Sequence, residues 1–516
     1  MDLGVEEILA SVSKRVKALE RGSYWEFRVG ETSNRRLKFA NGSAREAGFE
    51  SARAVSARVL LKGCWGFSAA TLNRNDWKGA AERAAREALR NAVLLGKRSK
   101  NNGEEKVEDR SFASGRFSVK PKVSPEDVEN EDILRRMKEL HSETVEKFGK
   151  QKTDDDNTGS GEKSRGKLSG VSMGYSSVHK RIGLLNSSGS EAVQDLLYTY
   201  ANATLTGKRN SRVEEHSGIL GFQAGFEVFD GGRISSVYSG RRRWRVESDG
   251  MAGLLERLSF RLKEALIAKP ARGGVFPVVV DEELVDVLIH EAFGHAAEAD
   301  GVLNGESCLQ GMIGRKLSKR ESGENNGTDE LNIVDDATMA GLWGSFFFDD
   351  EGVPSQKTEI VKRGILKSFM HSRETAAVME TVSTGNARSE GVGNIPAVRM
   401  SNTNLLPGSS SDEELIEDVK KGFLLGGSAG GQVDIASGNF QFNASYGYII
   451  EKGAVKTPVK GVSLSGNTLE MLSSIEKIGR TPAVGMAGLC GKFGQSVPVV
   501  GFNPKVLLGR TLVGGA

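Results

Sequence analysis

A strand pattern changes to a helix pattern in the middle of the stretch Val275-Phe276-Pro277-Val278-Val279-Val280-Asp281-Glu282-Glu283-Leu284-Val285-Asp286-Val287-Leu288-Ile289-His290-Glu291-Ala292-Phe293-Gly294-His295. The β-branched run at its start is typical of a buried strand. Asp281 is a favourable helix N-cap, and two glutamates follow it in the first turn, where the helix dipole favours acids. The stretch therefore predicts a strand that leads directly into a helix.

The sequence on both sides of this stretch predicts an α+β protein. Residues 1–96 contain a helix, β-rich runs and a second helix rich in alanine and arginine, and residues 111–232 combine a charged helix with alternating strands. Residues 240–516 open with a long helix and become glycine-rich and β-dominated beyond Gly341. We predict two smaller N-terminal domains and a larger β-rich C-terminal domain that carries the helix after Asp281.

The composition excludes several classes of protein. The 516-residue chain has 70 Lys and Arg against 67 Asp and Glu, so its net charge of +3 gives no electrostatic case for a nucleic-acid partner. No run approaches the roughly 18 consecutive apolar residues that a membrane span needs. The first residues lack the features of a signal peptide, and three cysteines cannot form a disulfide framework, so we expect a cytoplasmic protein.

Two of the six histidines lie five positions apart, in His290-Glu291-Ala292-Phe293-Gly294-His295. This pattern suggests a divalent metal site with His290 and His295 as ligands, and with Glu291 as the base that takes a proton from water. Five positions rotate the second histidine by about 140° on a regular helix, so both would not reach one ion. We therefore predict a π-type turn, which Gly294 would permit. The alternative is that both histidines are ordinary core or surface residues of a regular helix.

A catalytic zinc needs a third protein ligand, and the sequence offers both thiolates and carboxylates. Cys490 lies in the glycine-lined run Gly488-Leu489-Cys490-Gly491-Lys492-Phe493-Gly494-Gln495-Ser496-Val497-Pro498, where backbone can approach a bound group closely. Cys308, Glu298 and Asp300 are closer in sequence to the histidines and remain alternatives. Cys490 could also act as a thiol nucleophile, but no cysteine-peptidase signature surrounds it.

Together these motifs resemble the TldD/PmbA family of zinc metallopeptidases. The resemblance rests on the histidine helix, on the run around Cys490 and on Thr511-Leu512-Val513-Gly514-Gly515, with further likeness at residues 42–49, 63–68, 383–388 and 438–442. It implies that His290, His295 and Cys490 bind Zn²⁺ and that Glu291 is the catalytic carboxylate. Because the chain keeps all four residues, it resembles the TldD-like branch and not the PmbA-like branch, which has lost the motif.

The resemblance also implies a function and partners. The expected activity is zinc-dependent hydrolysis of peptides or unfolded polypeptide segments, and the expected assembly is a homodimer or a heterodimer with a PmbA-like paralogue. A non-hydrolytic peptide-binding or assembly subunit with a structural metal is the alternative function. Two hydrophilic stretches, 151–167 and 319–330, look like additions to the family pattern.

Three further motifs can each be interpreted either as ordinary structure or as a functional site. Gly426-Gly427-Ser428-Ala429-Gly430-Gly431 favours a glycine-rich β turn, or backbone that accepts a peptide strand, over a phosphate loop, since no Lys-Ser/Thr follows. Arg241-Arg242-Arg243-Trp244-Arg245 favours a solvated or interface strand over a nucleic-acid contact. Asp349-Asp350-Glu351 favours a polar turn over a cation site.

Overall fold

The computed structural model describes residues 5–12, 17–72, 77–98, 107–108, 112–150, 166–234, 246–318 and 328–515. About 46% of the described residues lie in strands and 25% in helices, which confirms the predicted mixture of α and β structure. No helix among the described residues is both long enough and apolar enough to cross a membrane. The predictions for Arg241–Arg245, and for most of 151–167 and 319–330, lie outside the described residues.

A seven-stranded sheet organises the N-terminal half of the structure. Its strands are β1 (Tyr24–Ala40), β2 (Ser43–Leu61), β3 (Cys64–Thr71), β4 (Ser114–Ser118), β5 (Lys167–Asn186), β6 (Glu191–Arg209) and β7 (Arg212–Phe222). Their order is β3-β2-β1-β5-β6, and β4 and β7 both pair with β6. Because β1 pairs with β5 from Glu26 to Ala40, the predicted units 1–96 and 111–232 share one sheet. The division of the chain into three domains stays a prediction.

Among the residues that the structure describes, five α-helices accompany this sheet. They are α1 (Val5–Val12), α2 (Trp77–Arg98), α3 (Asn130–Lys150), α4 (Glu227–Asp230) and α5 (Gly250–Ile267). The buried face of α2 consists of alanines at helical spacing, among them Ala81, Ala85, Ala88 and Ala92. These small side chains let α2 pack so closely on β3 that a Cβ at Gly66 would lie 2.0 Å from the Ala88 carbonyl oxygen.

The C-terminal half contains a ten-stranded sheet and several small ones. The strands are β8 (Gly232–Ile234), β9 (Val246–Ser248), β10 (Lys269–Pro270), β11 (Gly274–Val280), β12 (Ile333–Asp336), β13 (Lys357–Lys362), β14 (Ile365–Leu366), β15 (Ala387–Arg388), β16 (Ala397–Val398), β17 (Thr403–Leu405), β18 (Lys421–Gly426), β19 (Gly431–Asp434), β20 (Asn439–Asn443), β21 (Tyr446–Glu451), β22 (Ala454–Lys460), β23 (Ser463–Asn467), β24 (Ile475–Val484), β25 (Gly488–Lys492), β26 (Gln495–Val499) and β27 (Phe502–Gly514). The helices are α6 (Glu282–Val287), α7 (Ala299–Leu303), α8 (Arg373–Val378), α9 (Asp412–Glu417) and α10 (Thr468–Ser474).

Strand β11 lies inside the ten-stranded sheet and leads into α6. It pairs with β18 in parallel and with β27 antiparallel. Val278, Val279 and Val280 are fully buried, as a strand covered on both faces requires. The predicted strand followed by a helix is confirmed, and this pairing fixes where α6 begins.

Buried charges connect the seven-stranded sheet to the C-terminal half. Arg58 Nη1 lies 2.9 Å from Glu351 Oε1, and Arg28 Nη1 lies 3.2 Å from Asp350 Oδ1. The Asp349 carboxylate accepts backbone N–H bonds from Glu351 and Val353 at 3.0 and 2.9 Å. Burial, together with the neighbouring Glu351, raises the pKa of Asp349 well above its usual value. These contacts confirm the prediction of a polar turn at Asp349–Glu351.

Candidate metal centre

The helix that follows β11 changes type at the two histidines. α6 ends at Val287, and Leu288–Gly294 forms a π-helix in which the backbone N–H of His295 donates to the His290 carbonyl. This bond includes one residue more than an α-helical turn does. The two imidazole rings consequently lie 5.1 Å apart between centroids. The predicted π-type turn is confirmed.

Gly294 is needed at this turn for a reason other than the expected one. Its φ of −60° and ψ of −49° are ordinary helical values, so its conformational freedom is not used. A Cβ at Gly294 would lie 2.1 Å from Sδ of Met400, whose side chain is fully buried. Glycine is required because Met400 packs directly on the helix backbone.

We expect Gly294→Ala to destabilise the fold by about 1–3 kcal/mol, since the added methyl group would overpack this contact. The matched control is Gly301→Ala in α7, where a Cβ would have no atom within 4 Å. That change should be neutral or stabilise by about 0.5–1 kcal/mol, because alanine is the better helix former. Urea unfolding of both variants measures the difference. Equal stability of the two variants would contradict the role assigned to the Met400 contact.

The start of α6 is held by the predicted cap. The Asp281 carboxylate accepts the backbone N–H of Leu284 at 2.8 Å and that of Gly427 at 3.0 Å, and it also accepts the hydroxyl of Tyr446. Gly427 belongs to the Gly426–Gly431 run, which connects β18 to β19. The glycine run therefore secures the helix that carries the histidines, and its interpretation as a β connection is confirmed.

Cys490 reaches the histidines from the hairpin formed by β25 and β26. Its Sγ lies 3.4 Å from His295 Nε2, and the ligand atoms of His290, His295 and Cys490 lie within 4.8 Å of one another. Two zinc ligands with bond lengths of about 2.1 and 2.3 Å are about 3.6 Å apart in a tetrahedral site, so this donor set fits zinc. Among the residues that the structure describes, no other three His, Cys, Asp or Glu side chains converge in this way.

The other proposed third ligands do not belong to the converging group. The backbone N–H of Cys308 donates to Ile435, and burial raises the pKa of its thiol. Glu298 and Asp300 both contact the ammonium group of Lys492 and do not belong to the converging group. Of the alternatives that the sequence left open, the structure brings only Cys490 to the two histidines.

The three converging side chains shift one another's pKa values. Burial alone would raise the pKa of the Cys490 thiol, but hydrogen bonds from His290 and His295, and their positive charge, lower it to about 5. Burial opposes the charge on His295, yet Glu298 and Cys490 raise its pKa well above the usual value. A thiolate is the form in which cysteine binds a metal, so the site favours the binding form of this ligand.

A carboxylate and an ammonium group lie behind His295. Glu298 Oε2 is 3.2 Å from His295 Nδ1 and 2.8 Å from Lys492 Nζ. Lys492 Nζ also donates to Asp300 Oδ1 at 2.7 Å. Glu298 is 2% exposed, and although burial raises its pKa, His295 and Lys492 together lower it to about 2. When an ion takes the place of the proton on Nε2, Glu298 is positioned to accept the Nδ1–H of the neutral ring and so to orient His295.

We expect Glu298→Gln to weaken zinc binding by about 10–100-fold, the usual effect of removing a carboxylate that orients a histidine ligand. Competition with a chromophoric chelator measures the affinity. Asp300→Asn is the matched control. Asp300 accepts a hydrogen bond from the same Lys492 ammonium group, but the carboxylate that contacts His295 is that of Glu298. An equal loss in both variants would assign the effect to Lys492 and not to the orientation of His295.

Glu291 is the most accessible charged group of the centre. Its side chain is 40% exposed, against 11% for His295, and Glu291 Oε2 lies 3.8 Å from His295 Nε2. It does not belong to the converging ligand group. A solvent-accessible carboxylate next to the proposed metal ligands is in a suitable position to accept a proton from water.

Sequence reasoning missed Lys492 and Thr468, which support the centre, and it considered Glu298 only as a possible ligand. Lys492 and Glu298 form the ion pair described above, and Thr468 Oγ1 donates at 2.9 Å to the carbonyl of Ala292 in the π-helix. The proximity of Lys492 to Cys490 in the sequence was a usable signal for the first. No local signal marks Thr468, which comes from α10.

Known proteins resemble this chain in sequence and in fold. Residues 25–92 match the family described as PmbA/TldA metallopeptidase domain 1, and residues 273–515 match the PmbA/TldA metallopeptidase C-terminal domain. A metalloprotease of Methanocaldococcus jannaschii is 33% identical over 95% of this chain and 97% of its own length. A protein of Saccharolobus solfataricus named as a zinc metalloprotease TldD homologue is 34% identical over 55% of this chain and 61% of its own length.

The fold agrees with these matches. The crystal structure of TldE from Thermococcus kodakarensis superposes with a TM-score of 0.71 at 17% identity, over 98% of this chain and all of that one. At that identity the likeness concerns the fold alone. The sequence matches extend over nearly the whole chain, and the confirmed π-turn brings the expected ligand residues together. The chain belongs to the TldD/PmbA family of metallopeptidases.

Proposed function

We propose that this protein is a zinc-dependent peptidase that hydrolyses peptides or unfolded polypeptide segments. The observation that carries the proposal is the convergence of His290, His295 and Cys490 beside the accessible carboxylate of Glu291. Two imidazoles and a thiolate are a ligand set that zinc accepts readily. The name of the Saccharolobus relative, a zinc metalloprotease, supports the same metal.

Each residue of the centre has a separate role in the proposed reaction. His290, His295 and Cys490 hold the ion, and Glu298 keeps the ring of His295 oriented toward it. When bound there, zinc supplies a Lewis acid that lowers the pKa of water and polarises a peptide carbonyl. Glu291 accepts the proton of the attacking water and returns it to the departing amine, so one carboxyl group acts as base and then as acid.

The number of ligands favours a catalytic metal over a structural one. Among the described residues the converging group has three members, whereas a structural zinc usually has four protein ligands. A position therefore remains for water or substrate. The alternative function, a non-hydrolytic peptide-binding subunit, does not require an accessible carboxylate such as that of Glu291 beside the metal ligands.

The proposal also includes the cellular compartment and the oligomeric state of the protein. All three cysteines are free thiols, so a reducing cytoplasm suits the protein. We propose a dimer, either with a second copy or with a PmbA-like paralogue, as the family resemblance implies.

The test is hydrolysis of one substrate protein in its folded and its permanently unfolded form, followed by mass spectrometry. We expect cleavage of the unfolded form, loss of cleavage after chelation, and recovery when zinc is added back. Cleavage that survives complete removal of metal would contradict the zinc mechanism. Bound zinc without cleavage of any peptide would favour the peptide-binding alternative. Equal cleavage of both forms would contradict the substrate class alone.

A further inference from the structure

Two buried arginines lie under the hairpin that carries Cys490. Arg399 is completely buried, and Arg388 is 6% exposed. Arg399 Nη2 donates to the carbonyl of Cys490, and its Nη1 lies 3.4 Å from the carbonyl of Gln495. Arg388 Nη2 donates at 2.9 Å to the carbonyl of Pro498. Both guanidinium groups therefore bind the main chain of the hairpin.

Neither guanidinium group contacts a carboxylate directly. Among the residues that the structure describes, neither arginine forms an ion pair within 4.0 Å, Asp335 and Asp350 act on Arg388 only from a longer distance, and Arg399 Nε has no hydrogen-bond partner. Burying a charge without a counter-charge in contact with it is unfavourable. An arginine kept at such a position must contribute something that an apolar side chain of similar size would not.

The contribution of Arg399 follows from the shape of its side chain. Cys490 lies on β25 and Gln495 on β26, so the planar fork of one guanidinium group spans both strands of the hairpin. A cysteine has a single side-chain torsion, and once its backbone is fixed, Sγ can occupy only a few staggered positions. Metal centres tolerate errors of about 0.5 Å in the placement of their ligands.

We propose that Arg399 is a positioning residue that fixes the backbone of Cys490, so that Sγ meets the two histidines at ligand distance. This inference rests on the proposed metal site. Arg399 is not one of the converging ligands, and it acts on the position of Sγ through the main-chain carbonyls of Cys490 and Gln495.

Arg388 provides a matched control. It is a buried arginine that binds the same hairpin through Pro498 on β26 and also donates to the carbonyl of Met400, so neither of its contacts is with the main chain of Cys490. Removing either side chain should loosen the hairpin to a similar degree. Only the loss of Arg399 should change the placement of Sγ.

The experiment compares wild type, Arg399→Met and Arg388→Met loaded with Co²⁺ as a spectroscopic probe. The thiolate-to-cobalt charge-transfer band reports on the Cys490 bond, and the ligand-field bands report on the ion itself. We expect Arg399→Met to lose most of the thiolate band and to bind Co²⁺ about 10–100-fold more weakly. Arg388→Met should keep the band and bind Co²⁺ within about threefold of wild type, although both variants should unfold at similarly lowered temperatures.

An unchanged thiolate band in Arg399→Met, or equal losses in the two variants, would overturn the inference. If Arg399→Met does not fold, the same comparison is made with Arg399→Lys and Arg388→Lys. We expect the lysine at 399 also to weaken the band, because one ammonium group cannot reach both carbonyls. Wild type that binds no Co²⁺ would overturn the metal site itself, whereas normal binding in all variants would overturn only the role of Arg399.

Discussion

The Glu291→Gln variant should bind zinc as wild type does and should lose peptide hydrolysis by about 10²–10⁴-fold, the range that a positioned general acid–base supplies. Glutamine keeps the size of the side chain but can neither accept a proton from water nor deliver one to an amine. Glu291 does not belong to the ligand group, so its replacement leaves the ion's donors in place. The effect should appear in kcat/KM, with zinc content measured on the same samples.

The matched control for this variant is Glu306→Gln, which changes an exposed glutamate that follows α7. It should leave both zinc content and hydrolysis unchanged. Loss of zinc in Glu291→Gln would assign the residue a ligand role instead of a catalytic one. Retained hydrolysis in that variant would show that another group moves the proton.

The second large effect concerns the third ligand. Cys490→Ala should retain little zinc after dialysis, with an affinity at least about 100-fold below wild type, because removing a ligand exceeds the 10–100-fold typical of outer residues. Two neighbouring imidazoles would remain, and they would bind the ion weakly. Elemental analysis gives the zinc content per chain, and chelator competition gives the affinity.

Cys308→Ala is the matched control, since Cys308 was an alternative third ligand and has no place in the converging group. It should retain the wild-type zinc content. The reverse result, with zinc lost only in Cys308→Ala, would contradict the geometry of the site. Equal zinc in both variants would exclude both thiols as ligands.

Local rules explain why much of this centre could be predicted from the sequence. The cap at Asp281 depends on residues within one turn, and the π-turn follows from the five-residue spacing of two ligands on one helix. The choice of Cys490 needed more than spacing, since Cys308, Glu298 and Asp300 satisfied the same chemistry. It depended on a family resemblance, and the structure agrees with it because β25 brings a distant residue to the helix.

Other features depend on contacts that no local pattern encodes. Gly294 was correctly singled out, but its neighbour Met400 is more than 100 positions away, so packing could not be distinguished from backbone freedom. The pairing of β1 with β5 joins strands on both sides of a long intervening segment. Arg399 occurs in an unremarkable run, and only the fold places it under Cys490.

The distance in sequence between the ligands also affects how stable the protein is. His295 and Cys490 are 195 positions apart, and closing so long a loop in a disordered chain is entropically unfavourable. The unfolded chain therefore rarely presents all three ligands at once, and a zinc ion held by these residues would bind the native state preferentially. Each tenfold rise of free zinc above the dissociation constant adds about 1.4 kcal/mol to the free energy of unfolding. If the proposed zinc site is correct, scarcity of zinc would remove the proposed activity and weaken the fold together, and the melting temperature would report the free zinc concentration around the protein.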